Sequence, residues 1–142
     1  MKAEFMSNGS QSAPPPQLAT YMADSSGNLT TKSTRFNMPK TAMAILTDIA
    51  MSPSGRLLAV AGTTGLQVFH FNGSKPITHY TGLLATDQVD QLFWDNDNHL
   101  YATSQSAGKL FVFTITPTSV SQAPGSPHRI TKPQNIVVLS QK

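Results

Sequence analysis

The sequence contains no cysteine, so disulfides, thiolate zinc sites, iron–sulfur clusters and cysteine nucleophiles are excluded from its chemistry. Charge is scarce too. Only 12% of the 142 residues are Asp, Glu, Lys or Arg, about half the usual share of roughly 25%. No apolar run approaches the roughly 18 residues that a membrane-spanning helix needs, and no membrane partner is expected. The opening stretch from Met1 to Gln17 has no apolar h-region. The chain as written is therefore expected to lack a signal peptide and to be cytoplasmic, an export signal being possible only upstream in a longer precursor.

The net charge of +3 raises the question of nucleic acid. The cations are scattered singly, at Lys32, Arg35, Lys40, Arg56, Lys75, Lys109, Arg129 and Lys132. Phosphate binding needs a clustered basic face, so no nucleic-acid partner is expected.

Residues 1–17 are rich in Ser, Asn, Gly and Pro, with Pro14, Pro15 and Pro16 in a row. Such a segment has too little apolar surface to offset its ordering entropy and is expected to be disordered. From Leu18 onward, short apolar runs alternate with Gly, Pro, Asn and Asp, a strand-and-turn pattern with no sustained helical period. The expected strands span 18–23, 28–34, 44–51, 57–61, 66–71, 77–82, 89–94, 99–104, 110–115 and 135–139. Turns fall at Asp24–Gly27, Ser52–Gly55, Asn72–Gly73 and Asp95–Asn98. The chain is all-β.

An internal repeat refines this. Ile49-Ala-Met-Ser-Pro-Ser-Gly-Arg-Leu-Leu-Ala-Val aligns with Leu92-Phe-Trp-Asp-Asn-Asp-Asn-His-Leu-Tyr-Ala-Thr, 43 positions on. Leu66-Gln-Val-Phe then matches Leu110-Phe-Val-Phe at 44. Leu18–Thr30 lines up with Leu66–Thr78 at 48, and Asn135-Ile136 falls where Asp48-Ile49 and Gln91-Leu92 open their repeats. A period of 43–44 with about four strands per unit is that of a β-propeller blade. The expectation is a partial β-propeller of about two and a half four-stranded antiparallel blades over 18–142. It comprises an outer half-blade at 18–35, blades at 44–82 and 89–129, and a terminal inner strand at 135–139. Closed propellers have 4–8 blades, so self-association or the remainder of a longer propeller is expected to complete the ring.

The turn motifs resemble one family. Asp24-Ser-Ser-Gly-Asn-Leu-Thr and Met51-Ser-Pro-Ser-Gly-Arg-Leu-Leu are similar to those of lactonase-type β-propellers, which include the seven-bladed bacterial 6-phosphogluconolactonases. The stretches Ala123–Ile130 and Pro133–Ile136 resemble the final blade and terminal strand of such proteins. The Trp94-Asp95 dipeptide suggests WD-repeat propellers but ends an inner strand rather than a third one. The resemblance implies hydrolysis of a sugar lactone at the mouth of a central channel, with no metal or nucleotide cofactor. It assigns no catalytic residue here.

Blade equivalence itself nominates a site. Asp48, Gln91 and Asn135 share one position, just before the apolar core of each inner strand. That position would gather three polar side chains at the channel mouth, to bind a small polar or sugar-like ligand with Asp48 as acid or base. The alternative is that they bond backbone groups at strand starts, as Asp and Asn commonly do. His128 is the second catalytic candidate, because with Arg129, Lys132 and Gln134 it borders a patch suited to a phosphorylated sugar. His70, His79 and His99 are read as structural, with His99 at a turn-to-strand junction, and no metal site is expected. Asp95-Asn96-Asp97 is not a calcium loop, lacking Gly at the sixth position and Glu at the twelfth, where Ser106 stands. Three functions stay open: a lactone hydrolase, a non-catalytic propeller module for ligand or protein binding, and an inactive truncated fragment.

Overall fold

The computed structural model describes residues 15–29, 38–73 and 75–139. Within them the chain is all-β, built from two antiparallel meander sheets. The first runs β1 (Leu46–Met51), β2 (Leu57–Gly62), β3 (Gly65–His70) and β4 (Thr78–His79), in that spatial order. The second runs β5 (Gln91–Trp94), β6 (His99–Ser104), β7 (Lys109–Thr116) and β8 (Ser119–Gln122). A ninth strand, β9 (His128–Arg129), also pairs with β7. Because β6 occupies one edge of β7, β8 and β9 share the other.

The turns between paired strands follow from single residues. Ser52 Oγ accepts from Leu57 N at 3.1 Å and the Ser52 carbonyl accepts from Gly55 N at 2.8 Å, closing the β1–β2 turn. Asp95 takes the same place between β5 and β6, accepting from Asp97 N and His99 N. Gly55 (φ 68°) and Asn98 (φ 67°) both hold the left-handed conformation there, which Gly and Asn adopt at least cost. Gly65 (φ 139°) starts β3 where an added Cβ would run into the Ala85 carbonyl. Gly65→Ala is therefore expected to lower stability by more than about 1 kcal/mol in denaturant unfolding.

Strand β2 is buried at every position, as its unbroken Leu-Leu-Ala-Val-Ala run implies for a strand covered on both faces. One face, with Leu57, Ala59 and Ala61, packs against the second sheet. Small residues of the first sheet (Ala50, Ala59, Ala61) meet large ones of the second (Trp94, Phe111, Phe113) in one apolar cluster. The other face, with Leu58 and Val60 beside Phe69 of β3, is covered by Leu18, Met38 and Met43 from the preceding segment. A register shift between Leu46 and Asp48 marks a bulge in β1. It sends Leu46 to that second cluster while Ala50 joins the first.

Several expected strands differ. Residues 18–23 form no strand; isolated bridges join Gln17 to Lys40 and Ala23 to Leu29. The Asp24–Gly27 turn does form, with Gly27 N donating to Asp24 O at 3.0 Å. Residues 30–37, including most of the expected 28–34 strand, and residues 1–14 of the expected disordered lead-in lie outside the described residues. At the end of that lead-in, the Pro16 carbonyl accepts from Thr41 N at 3.0 Å and Gln17 Nε2 donates to Met38 O at 3.0 Å. The 77–82 strand shrinks to Thr78–His79 because Thr81 Oγ1, a side-chain atom, accepts from Val68 N at 2.9 Å. The inner strand expected at 135–139 has no ladder partner among the described residues. Its side chains still alternate, half-buried Ile136 and Val138 with exposed Val137 and Leu139.

Candidate functional site

The two sheets meet along their first strands. Asp48 on β1 accepts from its neighbour Ile49 N at 2.8 Å through Oδ1, and from Leu92 N on β5 at 2.8 Å through Oδ2. Two residues further along, the Trp94 indole Nε1 donates to the Ala50 carbonyl at 3.2 Å. The Thr47 hydroxyl donates to the Val89 carbonyl. Asp48–Leu92 and Ala50–Trp94 are each 44 residues apart in sequence, so each inter-sheet contact joins a residue to the one that follows its repeat equivalent. Both Asp48 oxygens thus accept from amides, and the bond from Leu92 bridges the two sheets.

Gln91, the repeat partner of Asp48, opens β5 and is half-buried. Asn135 reproduces the local geometry of Asp48, its Oδ1 accepting from Ile136 N at 2.9 Å. The structure brings Asp48 beside the start of β5. No hydrogen bond joins Asn135 to either residue among the described ones. Asp48 and Asn135 share one local feature, a side-chain oxygen that accepts from the next residue's amide.

His128 and Arg129 are exposed on β9. The register places Gln91 opposite Thr103, Thr103 opposite Leu110, and Leu110 opposite His128. Three strand spacings of about 4.8 Å separate Gln91 from His128, roughly 14 Å in all. An acid and a base acting on one small ligand work within hydrogen-bond reach of it, so His128 and the inner-strand group form two places rather than one. Near Arg129, Lys109 is already paired, its Nζ 2.9 Å from Asp87 Oδ2 and 5.9 Å from the centroid of the Phe111 ring. Thr103, in the middle of the row, is buried and its hydroxyl has no partner among the described residues.

A third cluster joins Asp95, His99 and Tyr101 across the β5–β6 turn. His99 Nδ1 lies 2.7 Å from Asp95 Oδ2, and Tyr101 OH donates to the same oxygen at 3.1 Å. Burial alone raises the Asp95 pKa. The His99 amide and ring, the Asp97 amide and the Tyr101 hydroxyl outweigh it and hold the carboxyl below the ordinary carboxylate range. Tyr101 is raised, by burial first and then by the hydrogen bond and charge of Asp95. With Nδ1 facing a carboxylate, the neutral His99 ring carries its proton there and keeps Nε2 as the acceptor. The signal was legible as Asp-x-x-x-His-x-Tyr across a tight turn into a strand, where Asp95, His99 and Tyr101 must share one side. Because the native Asp95 pKa is depressed, its contribution to stability is full above about pH 4 and is lost as pH falls through the lowered native value. Asp95→Asn is expected to flatten the acid limb of a Tm-versus-pH series while lowering Tm at neutral pH.

No group of three or more His, Asp or Glu side chains suited to a metal occurs among the described residues. No helix among them is long and apolar enough to cross a membrane. Comparison with protein-family models, curated proteins and solved structures finds no match for this chain.

Proposed function

We propose that the chain is a non-catalytic segment of a β-propeller, two successive blades followed by the inner strand of a third, serving as a ring-forming module for ligand or protein binding. The observation that carries this reading is Asp48. Each of its carboxylate oxygens accepts from a backbone amide, Ile49 N and Leu92 N, and the second bond ties the two sheets together, a structural use that favours the binding-module reading. Stacking of one sheet on the next through inner-strand contacts is what a blade needs, since a single blade cannot bury both of its faces.

The runner-up reading is hydrolysis of a sugar lactone, favoured by the resemblance of the Asp24–Thr30 and Met51–Leu58 motifs to lactonase-type propellers. One assay separates the two. Purified protein is mixed with 6-phosphogluconolactone and ring opening is followed against a protein-free blank. The binding-module reading predicts the blank rate. Turnover above the blank that disappears in Asp48→Asn, with the fold retained, would establish the hydrolase instead.

A further inference from the structure

Residues 38–43 form a strap over the face of the first sheet that points away from the second, and they make no ladder with it. The strap is tied down by bonds to side chains. Ala42 N donates to Gln67 Oε1 at 3.0 Å, and the Thr64 hydroxyl donates to the Ala42 carbonyl at 2.8 Å. Segments held in this way open locally before the sheets that carry them.

Met38 and Met43 supply the strap's buried apolar side chains, 5% and 1% exposed, in one cluster with Leu18, Leu58, Val60, Phe69 and Ile77. Both sulfurs are also acceptors. The amide of buried Ile77 donates to Met38 Sδ at 3.1 Å, and the Thr64 hydroxyl reaches Met43 Sδ at 3.4 Å. No other Met belongs to either buried cluster, and strands β2 to β9 contain none. With cysteine absent from the sequence, the oxidisable sulfur of the described core is confined to the strap.

We propose that Met38 and Met43 form a paired site of reversible oxidation by a hydroperoxide, through which the strap is released from the first sheet. An open strap presents both sulfurs to solvent together. A sulfur lone pair attacks the peroxide, and the S–O bond forms as the O–O bond breaks. With hydrogen peroxide, the second oxygen takes the proton of the transferred one and leaves as water. Sulfur is oxidised by two electrons and the peroxide reduced by two, giving the polar sulfoxide. An oxygen on Met38 Sδ has no room in the 3.1 Å gap to Ile77 N, and turned away it enters an apolar cluster. Burying a polar group without a partner is costly, so the oxidised strap stays open until the sulfoxides are reduced.

Hydrogen peroxide is the probe, with oxidation of each Met read by peptide mass mapping beside hydrogen exchange of the strap and Ile77 amides. Met22 and Met51, 50% and 38% exposed, are expected to react first and leave exchange unchanged. Met38 and Met43 then react in the same molecules while Trp94 emission stays native. Protection of the Ile77 amide falls with them by about tenfold or more, as loss of a buried hydrogen bond and its packing implies. The two stereospecific methionine sulfoxide reductases restore it. A double variant, Met38→Leu with Met43→Leu, keeps the apolar volume, and its strap should stay protected under the same treatment. Oxidation of Met38 and Met43 only after Trp94 becomes solvent-exposed, or without any change in exchange, would overturn the proposal. An equal loss of protection in the double variant would do the same.

Discussion

Trp94→Ala is expected to be the most damaging single substitution in the chain. The indole is the only one in the sequence, is nearly buried between the sheets, and donates to the Ala50 carbonyl at 3.2 Å. Removing it leaves a cavity lined by residues of both sheets and deletes the hydrogen bond to the Ala50 carbonyl. Large-to-alanine truncations of this kind cost about 3–5 kcal/mol, against a total stability of roughly 5–15 kcal/mol for a small domain. The sheet ladders do not depend on the indole, so loss is expected in the docking of one sheet on the other. Denaturant titration should show a midpoint far below that of the unmodified protein. Trp94→Phe keeps most of the apolar volume and should recover the larger part of the loss.

The second large effect belongs to Asp48. Asp48→Ala strips the acceptor from two amides at once, those of Ile49 and Leu92. Hydrogen bonds to charged groups contribute about 1.5–3 kcal/mol each, so a loss of about 3 kcal/mol is expected. Asp48→Asn separates structure from chemistry. Its amide keeps one oxygen for Ile49 N but presents an NH2 group toward Leu92 N, donor against donor, for an expected cost of about 1–2 kcal/mol. A catalytic Asp48 would behave in the opposite way, losing activity in the Asn variant with little change in unfolding midpoint. Hydrogen exchange at the Leu92 amide offers a local readout. Its protection should fall in both variants by more than that of the Leu100 or Phe113 amides in the same sheet.

Much of this architecture was legible in the sequence for identifiable reasons. The 43–44 residue repeat and the polar turns after Met51 and Trp94 place β1, β2, β5 and β6 to within two residues, because Ser52 and Asp95 close their turns with local hydrogen bonds. The outer strands were harder. Thr81 substitutes a hydroxyl for a backbone carbonyl and shortens β4, and β8 is a wholly exposed Ser-Val-Ser-Gln run with no apolar pattern. The terminal 135–139 segment has the composition of an inner strand without a ladder to join. Repeat equivalence groups Asp48, Gln91 and Asn135, but it does not show what their side chains bond. Spacing shows that Asp48 and Gln91 recur at matching places, but only the fold shows the Asp48 carboxylate reaching the amide of Leu92, one residue further on. The Asp95–His99–Tyr101 cluster is invisible while its members are read singly, because only the turn makes them neighbours.

The most direct test of the stacked-sheet account is the fluorescence of Trp94 in the native protein, recorded with acrylamide quenching and followed through a denaturant titration beside the far-ultraviolet β signal. The account predicts blue-shifted emission, weak quenching, and a red shift that coincides with loss of the β signal. Emission typical of a solvent-exposed indole in native buffer, or a red shift completed while the β signal persists, would show that the two sheets do not pack on each other through Trp94 and would contradict the account.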